Sequence, residues 1–277
     1  MKVIRKMSKK SKQSKRKKAG MASPSRADTL YGLIEQQIVQ GDYSEAIVNC
    51  ERLLNYLQPQ AQLRADVLSQ LGVAHSMLQN YPQSYEAFTE ALAFEPNNAE
   101  VWYNRSMSSR FTSRIGQALQ DSERAVELNT RTELAERFDE ARKFNREMAQ
   151  ASIQLRGPDF TLDQLIEQEQ LFQQGMKSME AGKWNEAEQA FQAAIALSDC
   201  LPQPWGNLGI CLMMQQRYDE AEEALNHALV IDPTYSIAKN NLVLLAQSRQ
   251  TGLPKIIGVS DPFRNTKMKQ SITFLKQ

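Results

Sequence analysis

Few side chains in this sequence have the chemistry to make or break a bond. There are two histidines, His75 and His227, and three cysteines, Cys50, Cys200 and Cys211. A histidine acts as a general base only when a neighbouring group orients it and a substrate proton lies within hydrogen-bond reach. His75 falls where the helical pattern turns inward and reads as a core histidine, and His227 reads as a surface residue. The cysteines show no metal-ligand spacing and no disulfide framework, and Cys50 and Cys211 sit within apolar helical patterns, which suits buried thiols in a reducing compartment. Acidic pairs such as Glu222-Glu223 have the spacing of a solvated helix face, with nothing to hold them in a cleft. No glycine-rich phosphate loop and no nucleophile elbow occurs. The sequence therefore predicts no catalytic residue, no metal, no cofactor and no enzyme.

Charge offers a second kind of chemistry. Residues 1–26 carry eleven Lys or Arg and no acid, and residues 250–277 carry five against Asp261, leaving 17 basic and 31 acidic residues over 27–249. The run from Lys9 through Lys10, Lys12, Lys15, Arg16 and Lys17 to Lys18 has no apolar periodicity. It repels itself and is expected to be disordered alone. Such a run neutralises phosphates, which makes those lysines and Arg16 the candidates for nucleic-acid contact, for a ribosome-associated arm, or for nuclear import in a eukaryotic host. The alternative is a solubilising tail, or one that folds against the acidic body. No aromatic is interleaved to stack on bases.

The elements that would position any site repeat along the chain. Gly175 and Gly209 are 34 residues apart, and so are Ala187 and Ala221, Phe191 and Leu225, Ala194 and Ala228. A period of that size marks stacked copies of one small unit. In each copy a glycine lets a neighbouring helix approach, and two alanines lie two turns apart on a second helix. A turn precedes that second helix: Gly41-Asp42-Tyr43-Ser44-Glu45-Ala46 matches Gly182-Lys183-Trp184-Asn185-Glu186-Ala187 and Gln216-Arg217-Tyr218-Asp219-Glu220-Ala221. No run reaches the roughly 18 apolar residues of a membrane span, and no apolar segment follows the basic N-terminus as in a secretory signal. The expected location is intracellular and cytoplasmic.

The unit Trp205-x-x-Leu208-Gly209, Tyr218-x-x-Ala221, Leu225, Ala228, Pro233 resembles the tetratricopeptide repeat (TPR). The resemblance implies an all-α, TPR-type helical-hairpin solenoid of about five repeats in two blocks, with basic irregular tails. After the tail 1–26, block one spans 27–132, with repeats at about 27–60, 65–98 and 99–132. An extra helix and linker fill 133–160, where Arg156-Gly157-Pro158-Asp159 breaks the helix. Block two spans 161–249: a capping box at Thr161-x-x-Gln164, repeats at about 168–201 and 202–235, and a capping helix at 236–249. A basic tail, 250–277, follows. The first repeat departs from the pattern at Ile34 and Leu53, where Gly and Ala are expected. The third departs at Ile115 and Ser122.

By the same resemblance, the stripe one residue past each packing stripe lines a concave groove. That stripe is rotated by about 100° from the packing positions. It holds Ser69, Val73, Ser76 and Met77; Tyr103, Met107, Arg110 and Phe111; Phe172, Met176 and Met179; Gly206, Ile210, Met213 and Met214, with Asn207 at the family's asparagine position. A methionine-rich lining suits varied apolar ligands. The alternative is that these residues pack between helices or lie under the chain's own tail. Asn104 and Asn207 match the asparagines of a carboxylate clamp, but Glu100, Tyr103, Gln203 and Gly206 stand where basic partners would be. The expected function is a non-enzymatic adaptor or chaperone-like scaffold that holds another protein's apolar segment. A nucleic-acid- or ribosome-associated factor is the alternative.

Overall fold

The computed structural model describes residues 25–58 and 62–252. Among them are twelve α-helices and no strand: α1 Arg26–Gln40, α2 Tyr43–Tyr56, α3 Leu63–Met77, α4 Tyr81–Phe94, α5 Ala99–Phe111, α6 Ile115–Leu128, α7 Thr132–Arg156, α8 Leu162–Glu180, α9 Trp184–Leu197, α10 Pro202–Met214, α11 Tyr218–Ile231 and α12 Ser236–Thr251. The chain divides into two compact units, Met1–Ser108 and Ser109–Gln277, and the boundary falls inside α5.

Ten of the helices form five hairpins, α1–α2, α3–α4, α5–α6, α8–α9 and α10–α11, all closed by the same turn. Its first residue has a left-handed backbone: φ is +89° at Gly41, +63° at Gln79, +57° at Ser113, +70° at Gly182 and +63° at Gln216. The next residue's N–H then reaches back to a carbonyl five residues earlier. Asp42 donates to Gln37, Asn80 to His75, Arg114 to Ser109, Lys183 to Ser178 and Arg217 to Leu212, all at 2.8–3.0 Å. Carbonyls left over at a helix end are satisfied this way, and the chain is reversed without a long loop. None of the five second helices is capped by the side chain of its own N-cap residue. Each begins directly from the turn. Helices α1 and α8 carry full capping boxes at Ser25/Asp28 and Thr161/Gln164.

The hairpins close at one crossing. A Cβ placed on Gly72 would stand 2.6 Å from the ring of Phe88, one on Gly175 2.6 Å from Phe191, and one on Gly209 2.6 Å from Leu225. The three partners stand at one and the same offset along the chain. That offset also accounts for the two irregular repeats. Ile34, large where glycine is usual, is followed at the partner position by small Cys50, and both are wholly buried in one cluster with Tyr31, Leu53 and Val67. In the third repeat the two positions hold Ser106 and Ser122, both buried.

In the first unit, Leu68, Phe88, Ala91, Leu92 and Val101 form a core between α3, α4 and the start of α5. Ser84 Oγ bonds the Gly72 carbonyl and Ser108 Oγ, each at 2.8 Å. In the second unit, α7 runs for 25 residues and buries Leu134, Phe138, Ala141, Asn145 and Ala149. Asn145 donates to the Ala118 carbonyl of α6 at 3.0 Å. The helix break at Gly157, with φ +127°, stands inside this unit. Beyond it α8 returns to α6 through Glu169, which accepts from the backbone N–H groups of Ile115 and Gly116 at 2.7 and 3.0 Å. A large core joins α8–α12, centred on Phe191, Cys211, Met213 and Leu225. Helix α12 closes it with Ala238 and Leu245, and Arg249 ties it to Asp219 and Glu222 of α11 at 2.8 Å each.

Two predictions rest on the turn and the crossing. A non-glycine residue in left-handed backbone costs about 1 kcal/mol. Gln79→Gly and Gln216→Gly should each raise the unfolding free energy by up to about that amount in denaturant titrations; unchanged midpoints would show that the turn is not strained. The crossing predicts a size exchange. Ile34→Gly should destabilise by cavity formation and Cys50→Phe by overpacking, each by about 1–4 kcal/mol. The double variant should recover more than about 1 kcal/mol of their sum in a double-mutant cycle, and strict additivity would refute the shared crossing.

Candidate functional site

The first helices of the hairpins present the face on which the candidate groove residues lie. The repeat spacing brings those residues into register as four classes. One holds Ser69, Tyr103, Phe172 and Gly206. The second holds Val73, Met107, Met176 and Ile210, the third Ser76, Arg110, Met179 and Met213, and the fourth Met77, Phe111, Glu180 and Met214. The structure treats the classes differently. Tyr103, Phe172, Arg110, Met179 and Met213 are buried. They stand three residues before or four after the crossing positions Ser106, Gly175 and Gly209, and both offsets return a side chain to the same helix face. These five pack between helices instead of lining an open surface. Phe172 meets the ring of Phe191 at 5.5 Å, and Ser248 Oγ of α12 points at Met213 Sδ at 3.8 Å. Arg110 lies 4.8 Å over the ring of Phe144.

Two more candidates are buried for a local reason. Asn207 donates from Nδ2 to Met176 Sδ at 3.3 Å, so the asparagine of α10 and the methionine of α8 occupy each other. Asn207 therefore spends its amide inside the protein. The remaining six, Val73, Met77, Met107, Phe111, Ile210 and Met214, are half-buried. Val73 leans on the core of the first unit and Ile210 on that of the second. In the first unit the half-buried set is Val73 and Met77 on α3 with Met107 on α5, bordered by half-buried Ser69 and Ser76. In the second it is Phe111 at the end of α5, with Ile210 and Met214 on α10. Glu180, which the repeat register places in Met214's class, is exposed and interrupts the apolar run there.

The titratable candidates lie elsewhere. His75 is half-buried, with its pKa held below the usual histidine range by desolvation despite the charge of Glu51. His227 is not a free surface residue: its ring stacks on Trp205 with centroids 4.0 Å apart. Burial pushes the thiols of Cys50 and Cys211 up to about 12, which suppresses the thiolate and its reactivity. Cys200 is half-buried and accepts from Ser198 Oγ at 3.4 Å. Among the described residues, no three His, Cys, Asp or Glu side chains are placed to share a metal ion, and no helix is long and apolar enough to cross a membrane. The basic run Lys9–Lys18 and residues 253–277 lie outside the described residues.

Sequence reasoning passed over Glu169. It sits mid-helix in a polar stretch, and its partners are backbone groups 53 and 54 residues earlier in the chain. The signal that would have found it is Gly116, a glycine at the second position of a helix, where the first unit has Pro82 in α4 and the second has Asn185 and Asp219.

Residues 178–240 match the family model for the tetratricopeptide repeat. No curated protein matches the sequence. Among solved structures, the chain is similar to YrrB, described as a TPR protein with an unusual peptide-binding site, at 19% identity and TM-score 0.36, over 79% of this chain and 92% of that one. It is also similar to the TPR domain of P58(IPK), at 11% identity and TM-score 0.45, over 80% and 65%. A third is pilF of Pseudomonas aeruginosa, at 16% identity and TM-score 0.35, over 90% and 91%. Likenesses at this level speak to neither activity nor partner. The matched segment runs from the last turn of α8 into α12, across the turns at Gly182 and Gln216, and the same left-handed turn recurs at Gly41, Gln79 and Ser113.

Proposed function

We propose that this chain is a non-enzymatic adaptor or chaperone-like scaffold that holds an apolar segment of another protein against its first helices. The observation that carries this reading is the half-burial of Val73, Met77 and Met107, next to positions on the same helices that are fully packed. An apolar side chain left half-covered beside a completed core has surface to offer a partner. Methionine adjusts its shape through three rotatable bonds, so such a face fits an amphipathic helix or an extended strand without demanding one sequence. Ser69 and Ser76 border it with groups that can bond a partner's backbone. Phe111, Ile210 and Met214 are half-buried apolar positions of the same kind in the second unit. The seven buried candidates contribute only by holding the first helices in place.

The test separates face from core. Met77→Glu with Met107→Glu should leave helicity unchanged and shift the melting temperature by only a few degrees, since half-buried positions can hydrate a carboxylate. The same pair should weaken binding to apolar amphipathic peptides, read by fluorescence anisotropy, by at least about tenfold, because a desolvated unpaired charge costs a few kcal/mol. Met213→Glu, by contrast, should unfold the fourth and fifth hairpins. Binding should change little between about 50 and 200 mM salt, over which phosphate-driven binding falls by orders of magnitude. Wild-type protein that binds none of the peptides, or a double variant that binds them as well as wild type, would overturn the reading.

A further inference from the structure

The crossing positions Ile34, Gly72 and Ser106 give the first helices of the first unit a common register, and carboxylates recur in it. Asp28, Asp66 and Glu100 each stand six residues before the crossing, and Glu35 stands one after. Those two positions are seven residues apart in the chain, a step that returns a side chain to the same helix face about 10 Å further along. The acidic row therefore shares the face of Val73 and Met107, the half-buried residues one past Gly72 and Ser106. Val39, five past Ile34 and 42% exposed, holds on α1 the position that Met77 holds on α3. Glu35, Asp66 and Glu100 are half-buried. Asp28 is exposed, and its carboxylate also closes the capping box with Ser25.

Two arginines of these helices turn to the second helices instead. Arg64 of α3 donates to the Leu54 carbonyl of α2 at 2.9 Å and to Glu90 of α4 at 3.4 Å. Arg105 of α5 donates to Thr89 Oγ1 of α4 at 3.3 Å and lies 5.5 Å over the ring of Tyr85. Residues 25–108 hold ten Asp or Glu against four Arg, with no Lys. The second unit does not repeat the row. Six before Gly175 is Glu169, committed to the backbone N–H groups of Ile115 and Gly116, and six before Gly209 is Gln203.

We propose that the segment this face takes is cationic: an amphipathic stretch of another protein whose apolar side covers Val73, Met77 and Met107 and whose Lys or Arg side chains meet Glu35, Asp66 and Glu100. The proposal rests on the reading of that face as a docking site and adds the charge of its partner. Lys and Arg carry their charge at the end of a long apolar stem, so they lie along an apolar row and reach a carboxylate beyond it. Half-covered by protein, the acidic row draws a cation more strongly than the same charges would in open water. An anionic segment meets like charge there and is turned away.

Three peptides with one apolar side, and lysine, glutamine or glutamate on the other, read this by fluorescence anisotropy on the full chain. At low salt the lysine peptide should bind about tenfold more tightly than the glutamine peptide, and the glutamate peptide more weakly than both. The ratio should narrow as added salt brings the Debye length to about 8 Å. Asp66→Asn with Glu100→Gln should bring the lysine-to-glutamine ratio to within about twofold and leave glutamine-peptide binding unchanged. Glu45→Gln with Glu86→Gln, at exposed positions on α2 and α4, should leave the ratio where it was. Equal binding of the lysine and glutamine peptides by the wild type would overturn the cationic preference and leave the apolar docking face standing; binding of none of the three would remove both. An equal fall in the ratio for the α2 and α4 pair would also overturn the proposal, since net charge and not the row would then set the preference. So would glutamine-peptide binding that strengthens with salt, the sign that the chain's own run Lys9–Lys18 holds the face.

Discussion

A helix hairpin closes only if one of the two side chains at its crossing yields to the other. Gly72, Gly175 and Gly209 yield, and Phe88, Phe191 and Leu225 fill the space, leaving no room for even a Cβ on the glycine side. The first hairpin reverses the roles with Ile34 and Cys50, and the third has serine at both positions. What recurs is at least one small residue in each pair, because an interior packed to crystal density does not tolerate two large side chains in one place. The left-handed turn then fixes where along the second helix the partner falls, so the offset from Gly72 to Phe88 recurs from Ile34 to Cys50 and from Gly209 to Leu225.

The face open to a partner is a by-product of that crossing. Once a first helix is clamped there, Tyr103 and Phe172, three before, and Arg110, Met179 and Met213, four after, are drawn into the same packing, whereas the small Ser69 and Ser76 stay half-buried. The half-covered apolar positions are those one or five residues past the crossing. Val73, Met77, Met107, Ile210 and Met214 occupy those positions and are half-buried, whereas Met179 and Met213 lie four past and are core. Met176, one past, is the exception, and the amide of Asn207 accounts for it.

Much of this was legible in the sequence, and the limits have physical causes. The five hairpins, the capping box at Thr161 and the break at Gly157 are local features, each written within a few residues. The groove stripe was read too broadly. A step of one residue turns a helix by about 100°, but the stripe drawn from it also took in positions that return within about 60° of the crossing. Ile34 looked like decay of the repeat because the compensating residue, Cys50, is one helix away in the partner position. Trp205 stacking on His227 had no such rule behind it, since ring contacts between helices depend on rotamers that spacing does not specify.

The third hairpin is where local rules fail together, and the reason is that its neighbour is not another copy. Every other second helix is followed by the first helix of the next hairpin or by the closing helix. Helix α6 is followed by α7, 25 residues long, which breaks and hands the chain to α8. Two helices then dock on α6. An apolar cluster of Ile115, Leu119, Ala149 and Leu165 joins them, and polar groups are added to it: Asn145 on the Ala118 carbonyl, Gln173 on the Thr112 carbonyl, and Glu169 on the bare start of α6. Polar groups fix position more narrowly than apolar ones, since each leaves a costly unpaired partner if it slips.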